Sequence, residues 1–219
     1  MKVIALNGSP RKNWNTSTLL ENALDGAASR GAETELVHLY DYSYQGCISC
    51  FACKLEGGRS YGRCAVRDEL TPILDKVHEA GALILGSPIY FGMPTGVMRS
   101  FVERLLFQYL TYDAAYSSKL KRKIPTGWIY TMNVDQSRMK AMGYEQMLML
   151  TEMAFKRCFG TAETLLVTDT WQFDDYSKFE TSGLDERRKA RRRAEVFPED
   201  CRKAYEMGVR FAEPSGAQT

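Results

Sequence analysis

The chain has 219 residues, a hydrophobic fraction of 44% and a formal net charge of +2. That length suits one α/β domain of about 150 residues carrying an insertion and a C-terminal extension. The near-neutral balance argues against a nucleic-acid partner, which wants a strongly basic face. No stretch approaches the ~20 apolar residues of a membrane span. Residues 1–7 are too short in apolar residues for a secretory leader, so the expected compartment is the cytoplasm, with no membrane partner.

Residues 3–6 form a short apolar run that ends in Asn-Gly-Ser-Pro, the pattern of a buried parallel strand entering a loop. Residues 16–28 follow as a helix with Leu19, Leu20, Ala23, Leu24 and Ala27 on one face. Residues 33–39 read as a second strand. Residues 40–68 show no periodicity and hold four of the six cysteines. Residues 70–77 are a helix, and residues 82–85 a third strand stopped by Gly86-Ser87-Pro88. Residues 97–110 are a helix rich in large apolar side chains, 126–131 the fourth strand, and 144–159 a helix closed by Gly160. Residues 162–168 are the fifth strand, and 198–211 a last helix with Pro198 in its first turn.

Five alternations of strand and helix predict an α/β three-layer sandwich with a parallel sheet and right-handed crossovers. Residues 1–170 are expected to form the ligand-binding domain, with the cysteine loop inserted in it. Residues 171–219 are expected to form an arm and a helix, packed on that domain or on a neighbouring subunit. In such sheets ligands bind beyond the carboxyl ends of the strands, near a switch point. The loops after strands one, three and four are therefore the places to look.

The first of these loops reads Asn7-Gly8-Ser9-Pro10-Arg11, followed by Asn15-Thr16-Ser17-Thr18 at a helix start. Hydroxyls, amides and the free N–H groups of a first helical turn converge there on one spot, with the helix dipole behind them. The loop has neither the Gly-Lys-Ser/Thr of a P-loop nor a Gly-x-Gly-x-x-Gly fingerprint. A cradle of hydroxyls without a magnesium-binding pair suits a monophosphate ester, and FMN meets that description.

This loop resembles the phosphate loop of the flavodoxin-like NAD(P)H-dependent FMN reductases. Ser87-Pro88-Ile89-Tyr90-Phe91-Gly92, with Gly96 and Phe101-Val102-Glu103-Arg104 beyond it, is similar to the flavin-ring loop and next helix of that family. The resemblance implies a flavodoxin-like fold with sheet order 2-1-3-4-5, bound FMN, and assembly as a homodimer or homotetramer. Ser9, Pro10, Arg11, Asn15, Thr16, Ser17 and Thr18 are then the expected phosphate contacts. Pro88, Ile89, Tyr90, Phe91 and Gly92 would border the ring, where backbone N–H groups would stabilise the charge gained on reduction. Thr131 and Asn133 would meet the outer ring edge or the ribityl chain.

Within that family the likeness extends to the iron–sulfur flavoproteins, through Cys47-Ile48-Ser49-Cys50-Phe51-Ala52-Cys53 and then Cys64. The short spacings match; the last gap, ten residues, is longer than that pattern. Cys47, Cys50, Cys53 and Cys64 are thus candidate ligands of a [4Fe-4S] cluster, with zinc and free or redox-active thiols as the open alternatives. Cys158 and Cys201 fall on helical patterns and are expected to be packing residues, as His38 and His78 are expected to be structural. The basic run 187–193 is flanked by acids and reads as a solvated helix or subunit contact.

Two functions from different classes follow. One is an oxidoreductase that loads FMN from NAD(P)H and reduces a flavin, a quinone or a similar acceptor. The other is an electron carrier with FMN plus [4Fe-4S], working with protein redox partners. A module using the fold for binding or regulation without turnover is disfavoured by the intact Ser/Thr-rich loop.

Overall fold

The computed structural model describes residues 1–213. Strands β1 (Lys2–Asn7), β2 (Glu33–His38), β3 (Ala82–Tyr90), β5 (Thr126–Thr131) and β6 (Glu163–Val167) form a parallel sheet in the order β2-β1-β3-β5-β6, and the two-residue β4 (Met93–Pro94) pairs antiparallel with β3. This is the expected order 2-1-3-4-5. Only the numbering shifts, because β4 intervenes.

Alternation along the strands divides the core in two. Ile4 and Leu6 of β1, Leu83 and Leu85 of β3 and Trp128 of β5 face the helices α2 (Thr71–Glu79), α3 (Gly96–Tyr109) and α5 (Tyr144–Phe159). Val3, Ala5, Ala82, Ile84 and Ile129 face α1 (Asn15–Ala28) and α7 (Phe197–Ala212). The result is a flavodoxin-like three-layer α/β/α sandwich. Helix α4 (Gln136–Ala141) packs on α5, and α6 (Glu186–Glu195) packs on α7. Among the described residues no helix is long and apolar enough to cross a membrane.

One expected boundary is corrected. Gly86-Ser87-Pro88 does not stop the third strand; β3 runs on to Tyr90. The carbonyl of Gly86 accepts from Gly8 N–H at 2.8 Å, so alternate residues Gly86 and Pro88 turn their backbone toward β1. Pairing with β1 ends at Asn7 opposite Gly86, whereas β5 pairs as far as Thr131 opposite Pro88. Pro88 thus faces an open edge and has no ladder donor to lose there. Phe91 (φ 52°) and Gly92 (φ 83°) then turn the chain back onto β4 with two left-handed residues, the geometry of a tight hairpin.

Candidate functional site

A cleft opens at the carboxyl ends of β1, β3 and β5, where ligands of such sheets bind. Its lining contains Ser9, Arg11, Asn15, Thr16, Pro88, Ile89, Tyr90, Thr131 and Asn133 from the sequence expectations, together with Trp14, Met132, Thr170 and Gln172. Pro10, Ser17, Thr18, Phe91 and Gly92 lie off it. Ser17 is fully buried and its hydroxyl donates to Glu21 Oε1 at 3.2 Å. Thr18 donates to the Trp14 carbonyl at 3.1 Å, and the Phe91 ring stands free in solvent at the hairpin tip.

The loop after β1 is ordered from within. Asn7 Oδ1 accepts from Ser9 N–H at 2.8 Å, and Ser9 Oγ accepts from Arg11 N–H at 3.1 Å. Helix α1 begins with no side-chain cap. Its first N–H groups have no intrahelical carbonyl to satisfy them, and Asn15 and Thr16 of that turn line the cleft. Thr16 and Thr131 share a hydrogen bond of 2.8 Å between their hydroxyls. Only one of the two protons is used, so the pair keeps one hydroxyl donor for a ligand.

The segment after β6 closes the other wall. The Trp171 carbonyl accepts from Trp14 Nε1 at 3.1 Å and from Asn15 Nδ2 at 2.7 Å, and the Gln172 carbonyl accepts from Arg11 Nη1 at 2.7 Å. Arg11 also lies over the Trp14 ring, 3.9 Å from its centroid. Arg193 donates to Asn15 Oδ1 at 2.9 Å, so both ends of the Asn15 amide are engaged and this residue braces the loop. Burial pushes the Tyr90 phenol above its ordinary value, Arg11 opposing.

Most of the basic run is solvated, as expected, with Arg187, Arg188, Arg191 and Arg193 exposed, but one residue is not. Lys189 is fully buried and its ammonium donates to Asp169 Oδ1 (2.8 Å), the Asn133 carbonyl (3.0 Å) and the Thr170 carbonyl (3.2 Å). Arg188 pairs with Asp169 at 3.1 Å and Arg192 with Asp200 at 2.6 Å. Helix α6 is therefore stapled by ion pairs onto two loops that line the cleft.

A second cavity is lined by Cys47, Cys50, Cys53 and Cys64 with Phe51, Phe107, Arg104 and Gln108. Helix α3 anchors the loop that carries these cysteines. Glu103 Oε2 accepts from Cys47 N–H at 3.2 Å, Gln108 Oε1 accepts from Cys64 N–H at 3.0 Å, and the Lys54 ammonium donates to the Phe107 and Leu110 carbonyls. Ser49 and Phe51 take left-handed conformations, at φ 54° and 55°, which turn the chain between successive cysteines. All four thiols are free. Burial pushes the Cys53 thiol up, the Lys54 ammonium opposing. Among the described residues no group of three or more His, Cys, Asp or Glu is placed to hold a single metal ion. Cys158 is buried, as expected of a packing residue, whereas Cys201 is half-buried.

The fold defines a flavodoxin-like α/β protein with a cleft at the carboxyl ends of its parallel strands. Residues 1–151 match the family NADPH-dependent FMN reductase, and the chain belongs to that family. An iron-sulfur flavoprotein of Methanocaldococcus jannaschii is 41% identical over 104 residues, which are 48% of this chain and 51% of the relative. The chain spans about half the length of the curated relatives it matches. An NAD(P)H:quinone oxidoreductase from Methanothermobacter marburgensis superposes with a TM-score of 0.67 at 14% identity, covering 95% of this chain and 98% of the other. An FMN-dependent NADH-azoreductase from Bacillus anthracis, solved with FMN, superposes with a TM-score of 0.66 at 13% identity over 97% of this chain and 100% of the other. These two likenesses speak to fold.

Proposed function

We propose that this chain is an FMN-dependent oxidoreductase that takes electrons from NAD(P)H and passes them to a quinone, a flavin or a similar small acceptor. The observation that carries the proposal is the uncapped start of α1 opening into a cleft lined by Ser9, Arg11, Thr16 and the end of β3. FMN, when bound, supplies the hydride and electron chemistry. The chain's part is to bind and orient. The first-turn amides of α1 with Ser9 and Thr16 would hold the phosphate, Asn15 would brace that loop, and Pro88, Ile89 and Tyr90 would wall the ring. Met132 and Asn133 at the exit of β5 would close the opposite side.

A second reading is favoured by a separate observation, the convergence of Cys47, Cys50, Cys53 and Cys64 on one cavity. Four thiols lining one cavity match the donor set of a [4Fe-4S] cluster, and relatives named iron-sulfur flavoprotein support it. Such a cluster would supply single-electron chemistry. The chain would then carry electrons between protein partners.

Anaerobic purification with a visible spectrum and iron and sulfide assays separates the two. Flavin bands without iron, bleached by NADPH, would establish the reductase. Flavin bands with about four irons per chain and no fast reaction with NADPH would establish the carrier. A chain that holds no flavin after incubation with FMN overturns both.

We also propose that copies of the chain assemble through α5, whose Met149, Leu150 and Met153 are left exposed.

A further inference from the structure

Arg104 and Gln108, which line the cysteine cavity, each keep a buried N–H without a hydrogen-bond partner among the described residues, although the Arg104 guanidinium lies beside the Cys64 thiol. The two residues are 1% and 2% exposed. They stand four residues apart on α3, hence on one face of the helix. The Arg104 guanidinium is fixed at its far end: Nη1 donates to the Asp68 carboxylate and reaches the Gln45 carbonyl at 3.4 Å, and Nη2 donates to the Val66 carbonyl at 3.1 Å. Its Nε has no partner among the described residues. Gln108 is held the other way round. Its Oε1 accepts from Cys64 N–H at 3.0 Å, and because that backbone donor needs an acceptor, the amide orientation is settled. The remaining Nε2 is buried without a partner.

Buried donors are almost always satisfied, and each exception calls for a reason. An apolar occupant would give these N–H groups no acceptor, whereas deprotonated cysteine sulfur and the sulfide of a cluster would. Phe51 and Phe107 offer only apolar surface there. The missing partner is an acceptor, and with four thiols around it the one that fits is sulfur bearing negative charge.

We infer that Arg104 Nε and Gln108 Nε2 donate hydrogen bonds to an anionic iron–sulfur group held by the four cysteines, and that this pair raises its reduction potential. The inference rests on the second reading above. Hydrogen bonds to the sulfurs and the net charge around them are among the levers that set such potentials. Donors bind the more negative, reduced form more strongly, so removing them favours the oxidised form. The Arg104 charge acts in the same direction, moderated by Asp68.

The test uses the full chain purified anaerobically, with Gln108→Met, which removes the donor without adding charge, and Arg104→Lys, which keeps a charge for Asp68 but has no Nε. Iron and sulfide per chain are measured first, then the midpoint potential by mediated titration. The expected result is wild-type iron content with a lower potential in each variant, by at least a tenfold change in the one-electron equilibrium, which is about 59 mV. Retained iron with an unchanged potential in both variants overturns the donor role and leaves the cluster reading standing. A wild-type chain without iron overturns the cluster reading and this inference with it. Should a variant lose its iron, pulsed EPR of the reduced wild-type protein with isotope-labelled arginine and glutamine side-chain nitrogens decides. Hyperfine coupling to those nitrogens is expected, and its absence overturns the assignment.

Discussion

His78 is the residue at which mild acid is expected to weaken the fold. Its Nδ1 lies 3.0 Å from Tyr109 Oη. Burial, with Arg63 and Arg122 nearby and only partly opposed by Asp75 and Glu79, holds the imidazole below its ordinary value of 6.5. Between that lowered value and 6.5 the unfolded chain binds a proton that the fold excludes. Stability from this residue is therefore complete above 6.5 and falls as pH drops through the window. His78→Gln is expected to flatten the stability profile below 6.5 and leave its slope above unchanged, as read from urea midpoints at each pH. An unaltered acid limb would assign the sensitivity elsewhere. Lys189 makes a sharper case. Lys189→Met leaves Asp169 with only the half-exposed Arg188 as an ionic partner and frees two loop carbonyls beside the cleft. Breaking a buried pair from one side costs about 3–5 kcal/mol, which is an upper bound here. Urea unfolding should show a loss of up to that size, and adding Asp169→Asn should recover part of it. A loss below about 1 kcal/mol, the range of exposed pairs, would mean that Lys189 is not the staple described here.

Among the elements, α1 and α7 approach more closely than any side chain would allow. A Cβ built at Gly208 would lie 1.7 Å from the Ala23 carbonyl oxygen, and one at Gly26 would lie 2.0 Å from that of Tyr205. Gly208→Ala must push two helices apart, and overpacking of this kind costs about 1–3 kcal/mol or more. For a chain of this size each kcal/mol lowers Tm by roughly 2–4 °C, so calorimetry should show a drop of several degrees. A Tm within one degree of wild type, about the resolution at that scale, would show that the helices have room to move. The same pair of elements shows what a sequence carries. Apolar period and turn residues marked every strand of the parallel sheet and the helices α1, α2, α3, α5 and α7, because each buries a stripe of its own. Helix α6 buries a lysine instead, and ten residues reading Glu-Arg-Arg-Lys-Ala-Arg-Arg-Arg-Ala-Glu show no apolar face. The first loop's share of the cleft was legible through its hydroxyls. The wall supplied by Trp171 and Gln172 was not, since it binds Trp14, Asn15 and Arg11 through main-chain carbonyls, which every residue possesses. An isolated Trp14 in a polar loop was the available sign. Ser17 and Thr18 were placed in the cradle because helix phase cannot be read from a run of hydroxyls, and both turn away from the cleft into bonds within α1.

For the whole molecule the question is what covers α5. Met149, Leu150 and Met153 are 48%, 67% and 54% exposed. Helix α5 also carries Glu145 in its first turn and Lys156 and Arg157 in its last. A two-fold axis perpendicular to α5 would lay the two copies of that helix antiparallel and bring the acidic start of each against the basic end of the other. The apolar stripe would lie between those charges, as an interface core inside a polar rim. Leu150→Glu puts a charge into that core. At the scale of an interface hot spot, about 2 kcal/mol, the dissociation constant should rise roughly thirtyfold, read by sedimentation equilibrium. The charge pattern gives an independent check. Glu145→Lys alone should weaken association, and combining it with Lys156→Glu in the same chain should restore it, because the two-fold pairs each swapped end with the other. Weakening by Leu150→Glu without that restoration would keep the apolar contact and exclude the antiparallel arrangement. If Leu150→Glu left the molecular mass in solution unchanged, α5 would be no part of an interface between copies.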